Sequence, residues 1–483
     1  MTTSLDSPQR LLIINAGRSP LFEAGGQSVR CENGQIVDID TGLSRRPGEQ
    51  VLDAGNRALI PGLHDQHIHL LATAAEAASL NCNGLSRDGL KQAIRNRIAI
   101  EPGEWLRGVN YHETIAGDLD RHQLDQWSAE RPVRLQHASG VMWYLNTQAI
   151  AALRLNQPEN RHHPEIQRDA QGQATGQLFR GDGLVAELLR RYDNNKRKIP
   201  SLATLSATLA GFGVTGVTDT SYRNSDSEFA ALQEKQRSGE LLQRLRIMGD
   251  VNLTASHSEH IHTGELKIML DESSLPDLDQ LEESIRNAHQ NNRGVAVHCV
   301  TEIELATVLS VFTATGCKGD RIEHASVIPA RTLKQISDLG LAVVTQPGFI
   351  QAKGDRYLND LDDTQRANLY RLRSLEAHKI PLALSSDAPY GPLNPWLNMQ
   401  CAVDRTTAAG ERISPGEGLT PESALAAYCC PAKPGIPQRL DIGGRADLAI
   451  LSNSWDQLRE DLAGTRAEAT CRAGYLIHQT SEI

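Results

Sequence analysis

Short apolar runs alternate with longer amphipathic stretches through most of this chain, and several of the runs close on a polar residue that can do chemistry. Arg293-Gly294-Val295-Ala296-Val297-His298 and Asp320-Arg321-Ile322-Glu323-His324-Ala325 each carry a histidine at or near the end. Pro381-Leu382-Ala383-Leu384-Ser385-Ser386-Asp387 closes on a carboxylate, and Leu266-Lys267-Ile268-Met269-Leu270 embeds one lysine. These runs read as strands and the stretches between them as helices. Strand and helix alternating over several hundred residues predict a parallel sheet, at this length a (β/α)8 barrel.

The flanks follow another pattern. Residues from about 10 to 60 alternate short strands with turns such as Glu32-Asn33-Gly34 and predict β-hairpins. The segment from about 441 onward has the same character, with strands expected at 446–451 and 474–478. The barrel is then expected over 61–440. Within it, residues from about 73 to 200 are too many for one strand-to-helix connection. They predict an inserted α/β subdomain over the mouth, with a strand at 132–136 and a loop at 169–173. Neither an internal repeat nor a low-complexity tract interrupts the pattern.

The densest chemistry lies in Pro61-Gly62-Leu63-His64-Asp65-Gln66-His67-Ile68-His69. In a strand, residues i and i+2 face the same side, so His67 and His69 are expected to project together. Paired imidazoles suit zinc and related ions. Barrel chemistry gathers at the C-terminal ends of the strands. The predicted fold therefore brings His67, His69, Lys267, His298, His324 and Asp387 to one mouth. Singly, each also fits a plainer role: a hydrogen-bonded core histidine, a solvated lysine, a turn-starting aspartate. The lysine is the hardest to explain that way, because an unpaired ammonium inside an apolar run is costly to bury.

In its motifs the chain resembles the amidohydrolase superfamily, in the branch of YtcJ-like and N-substituted formamide deformylase-like proteins. The resemblance rests on the P-G-x-x-D-x-H-x-H opening, the lysine strand, two single-histidine strands and Ser386-Asp387-Ala388-Pro389, in that order. It extends to Gly103-Glu104-Trp105-Leu106-Arg107-Gly108, Gly213-Val214-Thr215-Gly216-Val217-Thr218-Asp219 and Gly444-Arg445-Ala446-Asp447-Leu448-Ala449-Ile450-Leu451. It implies that both chain ends meet in one small β-sandwich beside the barrel. It also implies that His67, His69 and Asp387 bind the more buried metal and that His298 and His324 bind a second. Lys267 would bridge the two as a carbamate, and Asp387 would pass a proton from the attacking water to the leaving nitrogen. Two zinc ions are the expected cofactor, with manganese or iron as alternatives. The chain departs from its relatives at Asp271-Glu272-Ser273-Ser274-Leu275-Pro276, at Ser139-Gly140-Val141, and at His64 and Gln66 beside the first ligands.

This chemistry also follows from first principles. A divalent metal lowers the pKa of water from nearly 16 to about 7 and polarises a carbonyl. An amide nitrogen leaves only when protonated, which gives a neighbouring carboxylate a task. The leading expectation is hydrolysis of a non-peptide C–N bond in a small molecule: an amide, N-formyl, carbamoyl or cyclic amide. An iron- or manganese-dependent oxygenase on the same fold and a non-catalytic metal-binding paralogue are the alternatives. The insert offers Tyr111, His112, His137, Trp143 and Arg180 as candidate substrate-binding residues.

Composition narrows the setting. The chain has 483 residues, enough to bury a substantial core, and a net charge of -10, which argues against a nucleic-acid partner. Its eight cysteines are scattered without a C-x-x-C, which predicts reduced thiols and a cytoplasmic location. Residues 1–9 are polar without a basic start, unlike a signal peptide, and no run approaches transmembrane length. No membrane partner is expected, and a homo-oligomer, most simply a dimer, is left open.

Overall fold

The computed structural model describes residues 10–22, 27–100, 105–192, 199–254 and 260–481. Residues 1–9, and Gly103 and Glu104 of the Gly103–Gly108 segment, lie outside the described residues. The chain divides into two compact units, Met1–Leu70 with Ser201–Ile483, and Leu71–Pro200.

The first unit contains an eight-stranded parallel sheet in chain order. Its strands are β1 (Leu63–Ile68), β2 (Val214–Asp219), β3 (Arg244–Gly249), β4 (Ile261–Met269), β5 (Val295–Cys299), β6 (Arg321–His324), β7 (Ala342–Thr345) and β8 (Leu382–Leu384). β8 returns beside β1, and just past it Asp387 N donates to His67 O at 2.8 Å. His69 N donates to Ala388 O at 2.9 Å, so the sheet closes into a (β/α)8 barrel. Every residue of β1, β2 and β6 is buried, as expected of strands covered on both faces. Capping boxes start the helices after β2 and β5: Ser225 with Glu228, and Thr301 with Glu304.

Two four-stranded sheets from the chain ends share one apolar core. The first holds Arg10–Ala16, Gln27–Glu32, Gln35–Asp40 and Gln50–Asp53; the second holds Leu59–Pro61, Leu448–Leu451, Ala467–Arg472 and Tyr475–Gln479. Leu11, Ile13, Val29 and Ile36 meet Leu59, Leu448, Ile450 and Cys471 in it. Burying each such aliphatic side chain contributes about 1.5–3 kcal/mol. The hairpin at Asn33-Gly34 turns through two positive φ angles, 50° and 79°, which Asn-Gly adopts readily.

One local expectation is corrected. β1 ends at Ile68, so His69 lies just beyond the strand, and strict alternation is not what aligns it with His67. Pairing with β2 runs Asp65 to Val217 and then Ile68 to Asp219, leaving one extra residue in β1. Such a bulge re-aims the side chains around it.

The second unit is built on a mixed six-stranded sheet, in the order Ile166–Arg168, Ala174–Phe179, Met142–Leu145, Val133–His137, Leu106–Tyr111, Leu80–Asn81. Trp143 and Leu178 lie in one of its apolar clusters, Tyr111 and Leu135 in the other. No helix among the described residues is long and apolar enough to cross a membrane.

Candidate metal centre

The ends of β1, β4, β5, β6 and β8 bring the strand-end residues of the barrel together. His67 Nε2 and His69 Nε2 lie 3.5 and 3.2 Å from Asp387 Oδ1. His324 Nδ1 is 3.8 Å from Asp387 Oδ2. The His324 ring centre is 4.7 Å from that of His67 and 4.5 Å from that of His298. One ligand atom each from His67, His324 and Asp387 falls within 4.8 Å of the others, a spacing a single cation can span. His324 and Asp387 hold left-handed backbone, with φ of 66° and 52°. Non-glycine residues in that region cost on the order of 1–3 kcal/mol each and collect at functional sites.

Neighbouring groups fix how the imidazoles present themselves. His67 Nδ1 donates to Glu323 Oε2, leaving its Nε2 lone pair toward Asp387. His69 Nδ1 bonds Ser221 Oγ at 3.0 Å, which likewise turns Nε2 toward Asp387. The loop that carries Ser221 is ordered by Asp219 at the end of β2. Asp219 accepts from Ser221 N at 3.0 Å and from Asn224 Nδ2 at 2.8 Å. His324 Nδ1 bonds Gln346 Oε1 at 2.8 Å, and Gln346 Nε2 donates to Ser385 Oγ at 2.9 Å. With its amide anchored that way, Gln346 presents an acceptor, so His324 carries its proton on Nδ1. Imidazoles whose second nitrogen is held by an acceptor are poised for metal ligation.

Charge in the site is finely balanced. Burial pushes the Asp387 carboxyl up, but His67, His69 and His324 hold it well below the usual carboxylate range. Burial lowers His298 to about 4 and pushes His67 and His324 down as well, so these three stand neutral at physiological pH; burial also lowers Lys267 to about 8. Lys267 is 5% exposed, and its Nζ has no hydrogen-bond partner; its nearest carboxylate oxygen, on Glu323, is 4.0 Å away. Asp387 Oδ1 is likewise without a hydrogen bond, although two imidazole nitrogens stand near it. Leaving buried polar atoms unsatisfied costs about 1–3 kcal/mol each. Neutral imidazole nitrogens and an unbonded carboxylate oxygen around one point form a donor set that fits a divalent cation.

Sequence reasoning passed over Glu323 and Gln346, which hold His67 and His324. Glu323 was signalled as a charge inside a fully buried strand and Gln346 as an amide just past the end of β7, since a buried polar side chain needs a partner.

The insert's candidates are placed differently. His112 and His137 gather round Glu113, with His137 Nε2 donating to Glu113 Oε2 at 2.8 Å and the two rings 5.4 Å apart. Tyr111 is buried against Tyr144, its hydroxyl donating to Gly117 O at 2.5 Å. Trp143 is buried with Arg134 stacked 5.4 Å over its ring, while Arg180 is exposed beside Phe179.

Comparison with known proteins adds an independent observation. A profile described as "Amidohydrolase family" matches residues 50–478. The chain is 24% identical to the N-substituted formamide deformylase of Arthrobacter pascens, over 91% of this chain and 93% of that protein. It is also 24% identical to the putative amidohydrolase YtcJ of Bacillus subtilis (strain 168), over 75% of this chain and 76% of that protein. Among solved structures, an uncharacterized metal-dependent hydrolase from Pyrococcus horikoshii OT3 superposes with a TM-score of 0.74 at 18% identity. That alignment covers 97% of this chain and 100% of the other, and it establishes the fold.

Proposed function

We propose, from the premise that this chain belongs to the amidohydrolase family and is a hydrolase acting on carbon–nitrogen bonds, that its barrel mouth is a divalent-metal centre. Its substrate would be a small molecule carrying a non-peptide amide, N-formyl, carbamoyl or cyclic amide bond. The observation that carries this reading is the aim of His67 Nε2 and His69 Nε2 at the unbonded Oδ1 of Asp387. His67, His69 and Asp387 would hold one ion and His298 and His324 a second, with zinc preferred over manganese or iron. When bound, the metal supplies Lewis-acid polarisation of the carbonyl and lowers the pKa of water to about 7.

Asp387 does the proton work in this proposal. It takes one proton from the attacking water as the C–O bond forms, then delivers it to the nitrogen as the C–N bond breaks. The products are a carboxylic acid, or carbamic acid from a carbamoyl substrate, and an amine, the two groups staying on one ring-opened molecule when the amide is cyclic. Lys267 joins the centre as a carbamate. Its neutral amine forms an N–C bond to carbon dioxide and loses one N–H proton, leaving an anion with two oxygens. That change replaces a buried Nζ lacking hydrogen bonds with a group able to bridge two cations. The described cysteines are all free thiols, which supports a reducing, cytoplasmic setting.

The test compares wild type with Asp387→Asn, each loaded with zinc, manganese or iron, on formamides, N-acyl amines, carbamates and cyclic amides. Wild type should release acid and amine in equal amounts without oxygen. Turnover of Asp387→Asn should fall by about 10²–10⁴-fold, the scale of lost general acid–base catalysis. Near-wild-type turnover in that variant would reject Asp387 as the proton carrier. A requirement for oxygen would reject hydrolysis.

A further inference from the structure

Gln66, singled out as unusual beside the first ligands, belongs to a closed circuit of buried polar groups. Arg321 Nη1 donates to Gln66 Oε1 and Nη2 to Gln66 O, both at 2.8 Å. Arg321 Nε donates to Glu323 Oε1, and Glu323 Oε2 receives His67 Nδ1. Gln66 Nε2 is anchored in turn on Cys430 O. None of the four side chains is more than 2% exposed. Both Glu323 oxygens are engaged, and Glu323 is not among the residues whose ligand atoms converge with Asp387.

A buried ion pair of this kind is rarely the most stable filling for a core, since apolar residues of similar volume do as well or better. Its placement suggests a different use. We infer that Glu323 is a positioning residue for the metal centre: braced by Arg321, which Gln66 orients, it keeps the proton of His67 on Nδ1 and the Nε2 lone pair toward Asp387. Arg321 matters because its guanidinium engages Glu323 Oε1 and so leaves Oε2 facing His67 Nδ1. An anionic acceptor on Nδ1 also raises the basicity of Nε2, and losing such partners typically weakens metal affinity by about 10–100-fold. Gln66 matters because its amide cannot swap ends: Oε1 meets the guanidinium and Nε2 meets a carbonyl. This inference rests on the metal-centre reading above.

The experiment is a chelator competition for zinc with wild type, Glu323→Gln, His67→Ala and the double variant His67→Ala/Glu323→Gln. Circular dichroism would check that each is folded. Glu323→Gln should bind zinc about 10–100-fold more weakly than wild type. In the His67→Ala background the same change should have almost no further effect, because Glu323 acts through that imidazole. An equal loss in both backgrounds would mean a merely structural role and would overturn the inference, as would undiminished affinity in Glu323→Gln. Wild type that binds no zinc would instead overturn the metal centre itself. A second measurement needs no folded Glu323 variant: nitrogen-15 histidine spectra of metal-free wild type, with the His67 signal identified by its loss in His67→Ala. An Nδ1–H tautomer at His67 supports the inference, and an Nε2–H tautomer rejects it.

Discussion

His67, His69 and His324 in the barrel and His112 and His137 in the inserted subdomain differ in what their Nδ1 atoms meet. In the barrel the partners are the Glu323 carboxylate, the Ser221 hydroxyl and the Gln346 amide oxygen. In the insert they include backbone donors: Thr114 N gives its hydrogen to His112 Nδ1 at 3.3 Å, and Ser139 N to His137 Nδ1 at 3.1 Å. An imidazole that accepts at Nδ1 carries its own hydrogen on Nε2. That hydrogen is visible in use at His137, whose Nε2 donates to Glu113. Both groups set two histidines beside a carboxylate within a span that suits a cation. His67 and His324 thus carry their hydrogen on Nδ1, whereas both insert imidazoles carry theirs on Nε2. Proximity of the right residue types is therefore a weaker criterion than the polarity of the hydrogen bonds behind them.

Three variants probe this contrast, in falling order of effect. His67→Ala/His69→Ala should lose bound metal and turnover together, read by elemental analysis and a hydrolysis assay. Full occupancy in that variant would break the distinction at its strongest point. Gln346→Leu removes the acceptor behind His324 but no ligand. Zinc affinity should drop by about 10–100-fold while the fold survives, and an unchanged chelator titration would argue that the Nδ1 partner is irrelevant. His112→Ala/His137→Ala should leave metal content where it was. A fall in stoichiometry there would mean that the insert holds an ion after all.

Much of the barrel site was legible in the sequence because its residues close apolar runs, and a parallel barrel sends strand ends to one mouth. The histidine supports were harder to find. Glu323 and its partner His67 are 256 positions apart, and only the closed barrel makes them neighbours. Arg321 and Glu323 did carry a signal, being two charges at a spacing of two in a fully buried strand. His69 reached the expected company by a different route, past the strand end and beyond a bulge that apolar patterning does not reveal. Tyr111 and Trp143 illustrate the opposite limit. Aromatics in an insert suggest a pocket when read alone, yet the strands Leu106–Tyr111 and Met142–Leu145 turn these two into apolar clusters.

The most direct measurement is anomalous diffraction at the zinc edge from crystals grown with zinc. The account predicts a peak among His67, His69, His298, His324 and Asp387, with Nε2 of His67 and of His69 facing it. No peak should stand at His112, Glu113 and His137. Zinc at the insert cluster, or a barrel mouth without zinc, would contradict it.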